Sequence, residues 1–199
     1  MKTLALLVAL SVLMLAGCGS NAPHGHSPVV IIGDSITARI PAGALPFAWL
    51  NLGKGGDTSS QMLFWWIEVN DHTPDAVIIA IGINDLRQGV DPIIIINDLL
   101  TAINNTRAAL PTCKIYIQSI LPVNNAILGD AIPANTVIND TNALIETLCI
   151  NSKCIFIGIN SAFVDTSGQL RPEYTIDGIH LTNEAEFIRM ALIVPEVKL

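Results

Sequence analysis

The sequence predicts a three-layer α/β/α sandwich of the flavodoxin-like kind, built on a mainly parallel sheet of five strands. Two observations predict it. Short apolar segments alternate along the chain with longer segments of helical periodicity. Most of the short segments are apolar throughout rather than at every second position, which is typical of strands that helices cover on both faces. In such folds, ligands bind beyond the carboxyl ends of the strands.

The predicted strands are short, rich in β-branched residues and almost uninterrupted by polar ones. They cover residues 28–32, 49–52, 76–81, 115–120 and 155–159. Apolar residues recur at helical spacing in four further segments, 59–69, 92–110, 135–148 and 183–194. Trp65 and Trp66 are adjacent on the first of these helices and should point about 100° apart. One of them is therefore expected in the core, and the other could stack on a sugar or line an acyl groove.

Composition favours one globular domain with a large core. The chain has 199 residues, of which 51% are hydrophobic and 14% charged, with a formal net charge of −7. Lys and Arg total only 10. Because nucleic-acid binding depends on neutralising phosphates, this balance argues against a nucleic-acid partner.

The first 17 residues read as a processing signal. Lys2 precedes an apolar run over residues 4–16, and Leu-Ala-Gly then leads into Cys18. The run is too short to span a bilayer comfortably and suits a signal peptide. Residues 15–18 resemble a bacterial lipobox, which implies cleavage before Cys18, its lipidation and anchoring in a membrane of the cell envelope. The alternative is a plain secretory signal. Residues 18–27 are expected to form a flexible tether, and residues 28–199 the domain.

Three cysteines lie in the domain, and export would place them in an oxidising compartment. Cys149 and Cys154 flank a helix-to-strand connection and form one candidate disulfide, which is preferred here. Cys113 and Cys154 each precede a predicted strand and form another. The remaining possibility is three free thiols.

Glycine-rich and polar sequence follows the first three strands and precedes the last helix. The segments are Gly33-Asp34-Ser35-Ile36, residues 51–58, Gly82-Ile83-Asn84-Asp85 and Asp177-Gly178-Ile179-His180. Each alone is a common turn or helix cap. Gathered where an α/β sheet binds ligands, they supply the groups that acyl transfer requires.

Ser35 is the candidate nucleophile, because its hydroxyl stands just past the first strand. A free hydroxyl needs a base, and the imidazole of His180 is the candidate for it. Asp177, three residues earlier, would fix the imidazole tautomer and stabilise the imidazolium.

Donors for a developing oxyanion are the amides of Ser35 and Gly56 and the side-chain amide of Asn84. Glycine suits the second position because its amide can approach a substrate without a Cβ in the way. Asp34 and Asp85 are expected to support the first and third loops structurally.

On these four segments the sequence resembles the SGNH (GDSL-type) hydrolase family. Gly33-Asp34-Ser35 is similar to the nucleophile block, Gly56 and Asn84 to the oxyanion positions, and Asp177 with His180 to the Asp-x-x-His block. The resemblance implies a serine esterase that needs neither a metal nor an organic cofactor. Residues 117–124 and 174–181 look like the subset of the family described as carbohydrate O-acetylesterases and platelet-activating-factor acetylhydrolase-like proteins. This resemblance points to a short acyl group such as acetyl, on a small-molecule or glycan ester.

Two alternatives remain open, and a third is disfavoured. A lysophospholipase or thioesterase would act on longer acyl chains. A glycan-binding surface lipoprotein would keep the hydrolase scaffold without catalysis. A metal-dependent phosphoesterase needs several His and carboxylate ligands, and the domain has only His72 and His180, which argues against it.

Overall fold

The computed structural model describes residues 28–130 and 132–198. The predicted signal peptide, the lipidation site Cys18 and the tether lie outside the described residues. Among the helices that are described, none is both long and apolar enough to cross a membrane.

Five parallel strands form one sheet in the order β2-β1-β3-β4-β5, which confirms the predicted flavodoxin-like sandwich. The strands are β1 (Val29–Gly33), β2 (Trp49–Gly53), β3 (Ala76–Ala80), β4 (Lys114–Gln118) and β5 (Ile155–Ile157). Every residue of β1 and β3 is buried. Each fully buried Val or Ile side chain contributes roughly 1.5–3 kcal/mol through removal of its surface from water.

Eight α-helices are described: α1 (Ser35–Ala38), α2 (Ser59–Phe64), α3 (Trp66–Asp71), α4 (Ile83–Arg87), α5 (Pro92–Ala109), α6 (Asn125–Leu128), α7 (Asn135–Ser152) and α8 (Asn183–Ile193). Helices α2, α3, α4 and α7 all pack against one another or against α5. The crossover from β1 to β2 runs in the opposite direction to the later ones. Because such crossovers are right-handed, α1 lies on the other face of the sheet.

The predicted helix over residues 59–69 is two helices, α2 and α3. Thr58 caps α2 with a capping box. The chain then leaves helical geometry at Trp65 (φ −95°, ψ 3°), and α3 begins at the next residue. Trp66 is buried as expected, whereas Trp65 is 42% exposed and lies under the Lys54 ammonium, 3.0 Å from the ring centroid. One tryptophan is therefore in the core and the other is not, as expected, although they do not lie on one continuous helix.

The predicted Cys149–Cys154 disulfide is wrong, because Cys113, Cys149 and Cys154 are all free thiols. Lys153 ends α7 in the left-handed conformation, and the Cys154 amide bonds back to the Cys149 carbonyl at 2.9 Å. The Cys154 thiol instead contacts the Ser152 carbonyl at 3.6 Å. Burial raises the pKa of Cys149 to about 12, so this thiol stays protonated at neutral pH.

Candidate active site

The site lies at the carboxyl edge of the sheet, where β1 and β3 are neighbours and the strand order reverses. Helix α1 begins at Ser35 directly after β1, and α4 carries Asn84 after β3. The loop after β2 and the loop before α8 reach the same edge. The fold thus brings together the four segments that the sequence singled out.

The nucleophile turn, Gly33 to Ile36, is held by its own aspartate. The Asp34 carboxylate is the N-cap of α1 and accepts the Ile36 amide at 2.9 Å. Gly33 is required by close packing, because a Cβ there would lie 2.1 Å from the Ala80 carbonyl oxygen of β3. Ser35 follows with its side chain half-buried, facing the site rather than the core.

Ser35, His180 and Asp177 form a continuous hydrogen-bonded chain. The distance from Ser35 Oγ to His180 Nε2 is 2.8 Å, and from His180 Nδ1 to Asp177 Oδ2 it is 2.6 Å. An ionised carboxylate can only accept, so Nδ1 carries the imidazole proton. Nε2 is then free to accept the Ser35 hydroxyl proton.

The base loop, residues 174–182, is held by local hydrogen bonds. Asp177 Oδ1 accepts the amides of Ile179 at 3.0 Å and His180 at 2.8 Å. The Thr175 hydroxyl donates to the His180 carbonyl and accepts the Gly178 amide. Partial burial would raise the pKa of Asp177, but the bonds from the His180 ring and the two amides outweigh it and lower the pKa to about 2. Asp177 is therefore ionised at neutral pH.

Two of the three predicted oxyanion donors have geometry that suits them to the role. Gly56 has φ +86°, a conformation that side chains rarely adopt and that sets the direction of its amide. Asn84 donates one amide hydrogen to the Asp57 carbonyl at 2.9 Å, which orients the amide and leaves its second hydrogen available. Gly55 passes beside Ser35, since a Cβ on Gly55 would lie 3.9 Å from that of Ser35.

Asp85 ties the two oxyanion loops together. Its carboxylate accepts the Ser59 amide at 2.9 and 3.1 Å and lies 2.7 Å from the Ser59 hydroxyl. Burial raises its pKa. Asp98 of α5 reaches the same hydroxyl at 2.7 Å and the Ser60 hydroxyl at 2.6 Å. The Ser59 hydroxyl therefore lies between two carboxyl groups, one from α4, the helix of Asn84, and one from α5.

Two supporting residues carry no local signal in the sequence: Asp98 stands in the middle of a helix like any surface residue, and Thr175 precedes the Asp-x-x-His block. Asp98 acts through contacts with α2 that only the fold creates, and Thr175 acts through bonds within its own loop. Within residues 28–130 and 132–198, no three His, Cys, Asp or Glu side chains gather as metal ligands would.

Comparison with known proteins places this architecture in a family. Residues 31–186 match the model of the GDSL-like Lipase/Acylhydrolase family. No curated protein sequence matches the chain. The chain belongs to the GDSL-like lipase/acylhydrolase family and is an ester-hydrolysing enzyme.

Solved structures show the same fold. A Bacteroides fragilis protein assigned as an acylhydrolase is 25% identical with a TM-score of 0.74, over 89% of this chain and 87% of that one. A protein from Streptococcus pneumonia assigned as a platelet activating factor is 25% identical with a TM-score of 0.73, over 83% and 82%. An acetylxylan esterase from Geobacillus stearothermophilus, at 19% identity and a TM-score of 0.70 over 87% and 94%, shares the fold.

Proposed function

We propose that the protein is a serine esterase in which Ser35 is the nucleophile, His180 the general base and Asp177 the group that orients the base. The unbroken hydrogen-bonded chain of these three side chains carries the proposal. His180 Nε2 takes the Ser35 proton as Oγ attacks the ester carbonyl, and then returns it to the departing alcohol. A water activated by His180 hydrolyses the acyl-enzyme.

Three donors stabilise the tetrahedral oxyanion in this mechanism: the amides of Ser35 and Gly56 and the second amide hydrogen of Asn84. The Asn84–Asp57 bond and the Asp85–Ser59 contacts hold two of these donors in place before the substrate arrives. A preorganised donor needs no rearrangement as negative charge develops, which is why it lowers the barrier.

A short acyl group on a bulky alcohol, such as an acetylated carbohydrate, is the substrate class that we favour. The Asp177 side chain is 48% exposed and the His180 side chain 21% exposed, so the base works at the protein surface. A polysaccharide alcohol can approach such a base without entering a tunnel. The acetylxylan esterase of the same fold supports the class by analogy.

A longer acyl chain is the second candidate, as in a lysophospholipase or thioesterase. A groove of about 600 Å³ runs beside α4, the helix that carries Asn84. Its apolar lining includes Leu86, Val90 and Val137, together with Ile132, which is 54% exposed. Such a surface could cover an alkyl chain.

Hydrolysis of p-nitrophenyl acetate, butyrate, octanoate and palmitate and of acetylated xylo-oligosaccharide separates these functions. We expect the acetyl esters to react fastest, Ser35→Ala to abolish turnover, and Ser167→Ala, on an exposed loop, to retain it. A rate that rises with acyl length would favour the second candidate. Glycan binding without hydrolysis of any ester would overturn the esterase in favour of a binding protein.

We also propose that the enzyme is anchored through lipidated Cys18 on the extracytoplasmic side of the cell envelope. The charged start, the apolar run and the Leu-Ala-Gly-Cys sequence support it. Expressed in a bacterium, the full chain should incorporate labelled fatty acid and enter the detergent phase. Cys18→Ser should lose both properties and Cys113→Ser neither. Lipid incorporation into Cys18→Ser would contradict the proposal.

A further inference from the structure

Helix α8 carries a buried ion pair that the mechanism above does not use. Arg189 is 0% exposed and Glu186 is 1% exposed, and Arg189 Nε lies 3.0 Å from Glu186 Oε2. The two residues are one helical turn apart, which leaves the contact poorly directed. No guanidinium nitrogen and neither carboxylate oxygen has an aligned hydrogen-bond partner among the described residues. Buried charges so weakly satisfied are costly, so a further partner is expected.

A cavity of about 20 Å³ beside Arg189 supplies the place for that partner. Asp34, Gln118 and Ser119 line it together with Arg189. Gln118 is 4% exposed, and its Oε1 also lacks a partner among the described residues. A volume above roughly 10–15 Å³ with several polar partners holds one water molecule. Since acceptors as well as donors line the cavity, water fits it better than an anion.

Asp34 links this cavity to the reaction, because its carboxylate caps the turn that presents Ser35. Burial raises the pKa of Asp34 to about 7, while the Ile36 amide and the charge of Arg189 act to lower it. The N-cap of α8, Thr182, lies only two residues beyond His180, and the helix begins at Asn183. Helix α8 therefore lines the cavity beside the aspartate that supports the nucleophile, and it follows directly on the base loop.

We propose that Arg189 is a positioning residue, which fixes the Ser35 turn against α8 through Asp34 and one water molecule bound in this cavity. The proposal rests on the proposed function, since it concerns the same nucleophile. Loss of the guanidinium should let the turn shift relative to His180. A small misalignment of this kind lowers kcat roughly tenfold or more while substrate binding, and so KM, stays the same.

The double variant Glu186→Gln/Arg189→Met tests the role without leaving a lone buried carboxylate. We expect a kcat about tenfold lower with unchanged KM, measured well below the Tm, and partial recovery in Arg189→Lys, which keeps the charge. Arg107→Met, an exposed arginine on α5, is the matched control and should retain full activity. If the double variant does not fold, Arg189→Lys alone should also lower kcat at unchanged KM, but by a smaller factor.

A cycle with Asp34→Asn, which keeps the cap acceptor but cannot ionise, tests the path through Asp34. When Asp34 is already Asn, the change at Arg189 should lower kcat less than about twofold, as expected for two residues that act together. An undiminished effect, or a lower Tm with full kcat, would overturn the positioning role. A high-resolution crystal structure should show the water molecule, and an empty cavity would overturn the part of the proposal that assigns a water there. Activity that survives Ser35→Ala would instead refute the proposed function.

Discussion

The nucleophile turn and the base loop use the same local device in opposite surroundings. Asp34 Oδ1 accepts the amide two residues on at 2.9 Å, and Asp177 Oδ1 does so at 3.0 Å. Asp34 is 2% exposed and burial raises its pKa to about 7, whereas Asp177 is half exposed and its hydrogen bonds lower its pKa to about 2. The hydrogen bond sets the geometry of a turn, and burial sets the charge of the group that makes it.

This difference separates stability from activity. The nucleophile turn is buried and packs against β3, so changes there should alter the free energy of unfolding. The base loop presents the Asp177 and His180 side chains partly exposed, so changes to these two side chains should alter turnover alone. Four predictions follow the contrast, from the largest expected effect to the smallest.

His180→Gln should lower kcat roughly 10⁶-fold, because the Ser35 hydroxyl loses its base. Its Tm should stay within a few degrees of the wild type, because the His180 side chain is partly exposed and Gln keeps a polar group at the position. Steady-state kinetics on p-nitrophenyl acetate and thermal unfolding measure the two effects. His72→Gln, outside the site, is the control and should keep its kcat. A large fall in Tm would show that the base loop also supports the fold.

Asp34→Asn should change how stability depends on pH. The pKa of Asp34 is raised from 3.8 to about 7 by burial. Between these values the unfolded chain ionises and the folded chain does not, so the free energy of unfolding falls as pH rises and levels off above about 7. The difference between wild type and Asp34→Asn in urea unfolding should reach on the order of a few kcal/mol between pH 4 and pH 8. If the free energy of unfolding depends on pH in the same way in both proteins, the raised pKa of Asp34 is refuted.

Asn84→Ala should lower kcat by roughly a hundredfold or more, the usual cost of one oxyanion donor. KM should change little, because the donor acts mainly in the transition state. Asn104→Ala, exposed on α5, is the matched control. An unchanged kcat would remove Asn84 from the oxyanion hole.

Asp177 should make only a small contribution to acid stability. Its folded pKa of about 2 lies below the ordinary 3.8, so its stabilising effect is present above about pH 4 and is lost as pH falls toward 2. Solvent screening of this exposed group keeps the effect below about 1 kcal/mol. Asp177→Asn should therefore unfold in urea much like wild type at pH 6, while its turnover falls because the imidazole loses its orienting group. A stability loss of several kcal/mol would contradict the contrast between the two regions.

The sequence predicted those parts of the molecule whose signals are local. Apolar strands followed by glycine and polar residues located the sheet, and Ser35, Asn84, Asp177 and His180 each stand where such a strand or loop ends. Tertiary contacts gave no such signal. Arg189 and Asp98 stand on helices whose apolar residues recur at ordinary helical spacing, and their roles depend on the residues that pack against them.

Two local predictions failed for the same reason. The helix over residues 59–69 breaks at Trp65, where the ring lies against Lys54 of another loop. The cysteine pair was inferred from spacing, but the left-handed Lys153 and the backbone bond between Cys154 and Cys149 decide where the side chains go. The spacing of residues along the chain does not specify the direction in which the backbone turns or the side chains point.

Covalent labelling of the nucleophile tests the central claim most directly. A fluorophosphonate probe should add one adduct to the folded protein, and peptide mass spectrometry should place it on Ser35. Labelling should disappear in Ser35→Ala, slow markedly in His180→Gln and persist in Ser167→Ala. A folded wild-type protein that takes up no probe, or an adduct that persists in Ser35→Ala, would contradict the assignment of Ser35 as the nucleophile.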